Sequence, residues 1–429
     1  MKISKLIKDS SFAIYGLGLS GKSTLNFLRK KKIKKIYTWD DTWSNKNKKK
    51  IDLFKKALDE VDYIVISPGI NIQKTKFKLK LLKNKKKIIT DLDLFYMQKK
   101  PVKSIVITGT NGKSTVCKLT QHIFRSNKLD VQLGGNIGKP ILDLRIKKKS
   151  IVIIEASSFQ LAHAKYLKPN FAAILNITSD HLDWHNTIEN YKNSKFKIFS
   201  KQDRNNVAIL SNKKLINFFK KKNYLSKLKI IKKKYLNSLI KQKITNDYLI
   251  SKPNLENLLF AHQISKMFKI KEKIFLKAVN NFKGLPHRHE MFLKKNEITF
   301  INDSKATSFE STKYALKNNK NIFWILGGLP KIDDKFNLKR VNSNIIKSFI
   351  IGKKTNYFKN EVKNKIKYKI SFNLKNAIND IFKELITLKN SKCTVLLSPA
   401  SASYDQFINF ADRGNQFKKI TKNYVKKFL

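Results

Sequence analysis

Short apolar runs that end in a turn and give way to helical patterning recur along this chain, and that alternation restricts it to an α/β fold built on buried, mostly parallel strands. The first series is FAIYGLG at 12–18, KIYTWDD at 35–41 and YIVISPG at 63–69. A strand, a glycine turn, a helical pattern from Ser23 to Lys31 and another strand, in that order, read as a Rossmann-like unit. A second series begins after Pro101 with SIVITGTNGKST and continues through SIVIIEAS and FAAILNIT; a third runs through TFINDSKA, IFWILGG, SFIIG and CTVLLSPA. Three α/β domains are therefore expected, over 1–97, 98–285 and 286–429, the outer two Rossmann-like and the central one of phosphate-loop ATPase type. The lysine-rich stretch 211–252 is weakly patterned and carries no assigned chemistry.

A chain of 429 residues with 41% hydrophobic content is apolar enough to fold and too long for one ordinary core. Apolar runs stay shorter than the roughly 18 residues of a membrane span, and the basic start is broken by Asp9 before it meets a glycine turn. A soluble, unprocessed chain is expected. Its two cysteines, Cys117 and Cys393, form no motif, which fits a reducing cytoplasm. The formal charge of +61 raises nucleic-acid binding, but the lysines are spread from end to end and arginine is scarce, so no specific nucleic-acid partner is expected. Such a surface attracts anionic substrates.

Two glycine loops compete for a nucleotide. Gly16-Leu17-Gly18-Leu19-Ser20-Gly21-Lys22-Ser23 fits both the dinucleotide fingerprint and the strict phosphate-loop pattern, and taken alone is ambiguous. Gly109-Thr110-Asn111-Gly112-Lys113-Ser114-Thr115 misses the strict spacing, yet it follows a strand and opens a helix, which aims backbone N–H groups and a helix N-terminus at phosphate. Lys113 there can bridge phosphates, and Ser114 or Thr115 can reach Mg²⁺. Glu155 closes the apolar run SIVIIE, where a carboxylate needs a partner charge such as a nucleotide-bound Mg²⁺. In LNITSDHLDWH, the pair His181 and His185 has the spacing of half a zinc site without a third ligand; His181 is kept as a candidate and His185 is read as a surface or packing residue.

Together GTNGKST, GGNIG at 134–138, EASSFQL at 155–161 and LNITSDHLDWH resemble the central domain of the Mur ligase family, whose general plan folylpolyglutamate synthases share. The ends of the chain, with GLGLSGKST, VISPGI, GLPHRHE, INDSKATSFEST and LLSPASASYDQFINFADRGNQF, are similar to the branch that adds D-glutamate. No DNPR-like motif of the diaminopimelate- or lysine-adding relative is present.

The resemblance implies a soluble, monomeric ligase that joins D-glutamate to UDP-N-acetylmuramoyl-L-alanine at the expense of ATP, through an acyl phosphate. It implies that Lys113, His181 and Lys195 are catalytic. Gly109 to Thr115, with Asn257, Arg288 and Asp303, would hold ATP, and Ser114, Glu155, His181 and Lys195 would hold two Mg²⁺ ions, Lys195 as a carbamate. Leu17, Gly18, Leu19, Ser20, Asp40, Asp41 and Asn136 would meet the UDP-sugar, and Lys305, Thr307, Lys331, Ser403 and Phe410 the D-glutamate. The chain departs from the family pattern at His289 and at Leu329-Pro330. Two rival readings are another carboxylate–amine ligase, such as a folate-polyglutamylating one, and a nucleic-acid-stimulated ATPase.

Overall fold

A computed structural model describes residues 7–43, 48–98, 102–232, 238, 241–331, 334–337, 341–387 and 392–429. Pro101, from which the second strand series is counted, and part of the 211–252 stretch lie outside the described residues. The chain packs as two units, Met1–Phe282 and Lys283–Leu429.

The first unit holds two sheets. One has the order β2-β1-β3-β4, from β1 (Phe12–Tyr15), β2 (Ile36–Trp39), β3 (Tyr63–Ile66) and β4 (Ile88–Ile89). The other has the order β10-β9-β8-β5-β7-β6, from β5 (Lys103–Thr108), β6 (Val131–Gly135), β7 (Ile151–Glu155), β8 (Phe171–Ile174), β9 (Val207–Leu210) and β10 (Lys227–Ile230). Every pairing in both is parallel. The second unit holds the order β11-β12-β16-β13-β14-β15, from β11 (Glu290–Lys295), β12 (Ile298–Asn302), β13 (Ile322–Gly327), β14 (Ile345–Ile351), β15 (Tyr368–Phe372) and β16 (Cys393–Leu397); among the described residues only β11 runs antiparallel, as an edge hairpin on β12.

The continuous apolar runs have a direct cause: each sheet is covered on both faces. In β5, Ile105 and Ile107 enter one core while Val106 enters another, and in β7 Ile153 faces the first of these cores while Val152 and Ile154 face the second. In β13, Phe323 and Ile325 separate in the same way from Ile322, Trp324 and Leu326. A strand buried on both faces cannot alternate with polar residues, so the run reads as unbroken. Such parallel sheets gather their functional loops beyond the strand C-termini, and the glycine turns sit there.

Within the first unit, side chains tie the two sheets together. Ser23 Oγ donates to Asp143 Oδ1 at 2.8 Å. Asp93 accepts from the backbone N–H groups of Lys165 and Tyr166 at 2.7 and 2.6 Å, and Asp91 accepts from Gln160 at 3.2 Å. Burial raises the Asp91 carboxyl to about 6, against the opposing hydrogen bond from Gln160. No described helix is long and apolar enough to cross a membrane.

Candidate active site

The turn after β5 is shaped by glycines where the backbone demands them. Gly112 has φ +85 and caps helix α1 (Lys113–Ser126) without a side-chain hydrogen bond, leaving the N-terminal N–H groups to a ligand or solvent. A Cβ at Gly112 would lie 2.0 Å from Asn257 Oδ1, so the loop and the helix α2 (Lys252–Met267) are in close contact. Asn257 is thereby brought to the phosphate loop, held by its own donation to Asn254 Oδ1 at 3.0 Å. The loop is also stitched to the segment after β8. Thr110 N donates to Asn176 O at 2.9 Å, Asn111 N to Asn176 Oδ1 at 2.9 Å, and Thr178 N to Thr110 Oγ1 at 3.0 Å.

Lys113 folds over this turn, its Nζ donating to Gly109 O at 2.8 Å and Thr110 O at 2.7 Å. Lys195, on helix α3 (Ile188–Phe196), donates to the same Gly109 O at 2.8 Å and stands 4.5 Å from the centre of the Tyr191 ring. It is 1% exposed, an extreme value for a lysine. Burial, followed by the charge of Lys113, holds its amine well below the ordinary lysine range, against the pull of Asp180 and Glu155. Tyr191 Oη meets Thr110 Oγ1 at 3.1 Å, so the helix carrying Lys195 is bound to the loop from both sides.

Glu155, at the end of β7, is 2% exposed. Asn136 Nδ2 donates to its Oε1 at 2.9 Å, while Oε2 is buried with no hydrogen-bond partner among the described residues. A buried carboxylate with a spare oxygen is suited to a hard cation, whose oxygen ligands are usually completed by hydroxyl, phosphate and water. Among the described residues no cluster of three or more His, Cys, Asp and Glu forms a cation site by itself, so an ion here would need ligands such as the buried Ser114 hydroxyl. His181 has φ +55 and is half-exposed, its ring edge-on to Phe159 at 4.8 Å and its Nε2 3.4 Å from Asp180. His185 lies inside this cluster: it is 4% exposed and its Nε2 is 2.9 Å from Ser158 Oγ. Burial, then the charges of His181 and Lys195, push its pKa down to about 4, so it is neutral at ordinary pH.

The first glycine loop is built differently. Gly16 has φ +89, and a Cβ at Gly21 would lie 1.8 Å from Gly16 O, so both positions need glycine for the tight turn. Leu17 N donates to Asp40 Oδ2, while Thr42 N and Oγ1 donate to Asp40 Oδ1 at 2.9 and 2.6 Å. Burial would raise the Asp40 pKa; the Thr42 and Leu17 hydrogen bonds and the charge of Lys22 outweigh it and lower the value. Asp41 has both oxygens engaged, by Tyr15 Oη at 2.6 Å and Trp39 Nε1 at 3.0 Å. Gly18 and Leu19 are exposed and Ser20 is half-buried at the loop tip, with Lys22 exposed beyond them.

In the second unit, Asp303 follows β12 and is nearly enclosed, accepting from Ser398 Oγ at 2.8 Å and His289 N at 3.0 Å. Burial pushes its carboxyl up to about 7, against these hydrogen bonds and the charge of Arg288. Lys305 Nζ stands 3.7 Å from the centre of the Phe410 ring, Ser403 is buried, and Thr307 is half-buried. Lys331 is exposed in the loop after β13. Arg413, inside the segment LLSPASASYDQFINFADRGNQF but given no role there, is fully buried and donates to Ser304 Oγ, Ser304 O and Ser401 O at 3.0, 2.9 and 2.9 Å, tying the two segments that carry Lys305 and Ser403.

Residues 107–271 match the Mur ligase middle domain. The UDP-N-acetylmuramoylalanine--D-glutamate ligase of Rickettsia prowazekii is 33% identical over 448 residues, spanning 97% of this chain and 99% of that protein. The ligase of the same description from Buchnera aphidicola is 37% identical over 447 residues, spanning 95% and 97%. Among solved structures, the MurF ligase of Thermotoga maritima in complex with ADP superposes with a TM-score of 0.56 at 14% identity, over 100% of this chain and 97% of that one, a likeness of fold.

Proposed function

Since the chain belongs to the UDP-N-acetylmuramoylalanine--D-glutamate ligases of the Mur ligase family, we propose that the residues gathered around Gly109 transfer the γ-phosphoryl group of ATP. The enzyme is an ATP-dependent ligase that adds D-glutamate to UDP-N-acetylmuramoyl-L-alanine in peptidoglycan precursor synthesis. In the proposed first step the alanyl carboxylate attacks the γ-phosphorus, the bond to the β-phosphate oxygen breaks, and ADP leaves an acyl phosphate. The free amine of D-glutamate then attacks the acyl carbon, the amide forms, inorganic phosphate departs, and the amine's proton passes to solvent or phosphate.

All the reacting groups of the first step are anions, so the site must supply positive charge before reaction and exclude water afterwards. Lys113 and the N–H groups of Gly109–Thr115 are assigned to the phosphates, and Asn257 to the nucleotide beside Gly112. Two Mg²⁺ ions would be held by Ser114 and Glu155, and by His181 and a carbamate of Lys195; bound there, they would neutralise phosphate charge. Carbamate formation joins the unprotonated lysine amine to CO₂ with loss of a proton, and the suppressed basicity of Lys195 favours it. Leu17 to Ser20, Asp40, Asp41 and Asn136 are assigned to the UDP-sugar. In the second unit, Arg288 and Asp303 are assigned to the nucleotide, and Lys305, Thr307, Lys331, Ser403 and Phe410 to D-glutamate. We place the reaction in the cytoplasm, where the buried free thiols Cys117 and Cys393 stay reduced, and take the monomer as the working form.

The observation that carries this reading is the convergence of two lysines on one carbonyl, Lys113 and Lys195 each 2.8 Å from Gly109 O. It is tested by ADP release with UDP-N-acetylmuramoyl-L-alanine and each glutamate enantiomer, alongside the ¹³C spectrum after incubation with labelled bicarbonate. Turnover with D-glutamate alone and a carbamate resonance missing from Lys195→Ala are expected. A Lys195→Ala protein with wild-type turnover would remove the carbamate from the mechanism.

A further inference from the structure

The groups proposed above to hold the cations sit on three separate pieces of chain, and His185 touches all three. Glu155 ends β7, and three residues on, Ser158 opens helix α4 (Ser158–His163) with its Oγ 2.9 Å from His185 Nε2. His181 precedes the short helix α5 (Leu182–His185), whose last residue is His185; the His185 N–H donates to His181 O at 3.0 Å. Lys195 lies over Tyr191, and the His185 ring meets the Tyr191 ring edge-on with centroids 5.2 Å apart. Phe159 completes the arrangement, stacked on His185 at 5.7 Å and 9° and edge-on to His181. Trp184 covers His185 from another side, with centroids 4.5 Å apart.

Asn190 adds a backbone restraint, its Nδ2 donating to His185 O at 3.1 Å. Among the described residues, the polar side-chain atom that bonds the His185 ring is Ser158 Oγ. The imidazole is thus fixed in rotation by a hydrogen bond and in tilt by stacking.

We infer that His185 is a positioning residue for the cation site: its ring, oriented by Ser158 and clamped between Phe159 and Tyr191, sets the spacing of Glu155, His181 and Lys195. This rests on the metal-binding roles proposed for those three residues. In this role the ring acts through the residues it touches, its Nε2 being engaged by Ser158. It works as the outer partners of metal sites do, by restricting ligands that would otherwise sample several rotamers, and loss of such partners usually weakens metal binding by roughly 10–100-fold.

The test uses the full chain with Mn²⁺ as the probe, titrated by electron paramagnetic resonance in the presence of ADP, with thermal midpoints recorded in parallel. His185→Phe keeps a ring of similar size and removes both nitrogens; Ser158→Ala removes the partner and leaves the ring. Both should weaken Mn²⁺ binding by about tenfold or more while the glutamate KM stays at the wild-type value; the midpoint should fall modestly, since each leaves a buried polar group unpaired, with the protein still folded at the assay temperature. His185→Asn, which retains a polar group able to face Ser158, should recover part of the affinity lost in His185→Phe. Wild-type Mn²⁺ affinity in folded His185→Phe and Ser158→Ala would overturn the inference. Glu155→Ala is the separate control: undiminished Mn²⁺ binding in that variant would sink the metal-site reading itself, whereas loss there with no change in the other two would sink only the role of His185.

Discussion

Gly16–Ser23 spells the strict phosphate-loop pattern, yet Lys22 is exposed and acts at a distance, lowering the Asp40 pKa through its charge. Gly109–Thr115 misses that pattern, yet Lys113 lies across its own turn, Lys195 arrives at the same carbonyl, and Asn257 closes on Gly112. Both loops follow a central parallel strand and open a helix, so local plan does not separate them. What separates them is the company each turn keeps: hydrogen bonds to Asp40 and a nearly open tip in the first, the half-buried Lys113 with the buried Lys195 and Asn257 in the second. A phosphate being transferred needs the latter, because preorganised charge in a water-poor site does most to lower the barrier. A donor held mainly by backbone needs only the former.

The contrast can be broken most decisively at the lysines. Lys113→Ala should lower kcat by on the order of a hundredfold or more, the scale of losing one preorganised electrostatic group. Steady-state ADP release checks it, and a loss of less than tenfold would mean the turn does not serve the phosphates. Next in size is Gly112→Ala. An alanine there takes the disfavoured φ of +85 and puts its Cβ 2.0 Å from Asn257 Oδ1. The left-handed backbone alone costs about 1–2 kcal/mol of stability, so the thermal midpoint should fall, and displacement of Asn257 should raise the ATP KM. An unchanged ATP KM in that variant would detach Asn257 from the nucleotide.

Smaller effects belong to the first loop. Lys22→Ala should change mainly the KM of the UDP-sugar, by less than about tenfold, with kcat preserved. Gly18→Ala should be the mildest of the set. Gly18 has φ −64 and a Cβ there would meet nothing within 4 Å, so the thermal midpoint should stay at the wild-type value. A large destabilisation by Gly18→Ala would show that the tip is packed more tightly than an open turn allows.

Much of this architecture is legible in the amino-acid sequence. The apolar runs mark the two-faced strands, and the isolated carboxylate at the end of SIVIIE marks Glu155, which is buried with one oxygen unpartnered among the described residues. Other features are hidden because their causes are tertiary. His185 reads as a surface or packing residue, and the packing alternative is the one observed, through contacts with Ser158, Phe159 and Tyr191 that are tertiary. Arg413 lies in the quoted segment LLSPASASYDQFINFADRGNQF, but its full burial rests on bonds to Ser304 and Ser401 far away in sequence. Asp41 reads as a ligand-binding group at a strand end, and the bonds that orient it, from Tyr15 and Trp39, are tertiary and leave further lone pairs on both oxygens. Asn257 is picked out by family resemblance alone, since nothing in its helix foretells a contact with Gly112.

The central claim is that the second loop, and not the one with the better pattern, binds the nucleotide. Titrating ADP into wild type, Lys22→Ala and Lys113→Ala by calorimetry tests it most directly, because both substitutions remove the same charge from the same kind of turn. Near wild-type affinity is predicted in Lys22→Ala and a loss of about tenfold or more in Lys113→Ala, the scale of one charge-assisted contact. Loss of ADP binding in Lys22→Ala with full affinity in Lys113→Ala would contradict it, and would move the nucleotide to Gly16–Ser23.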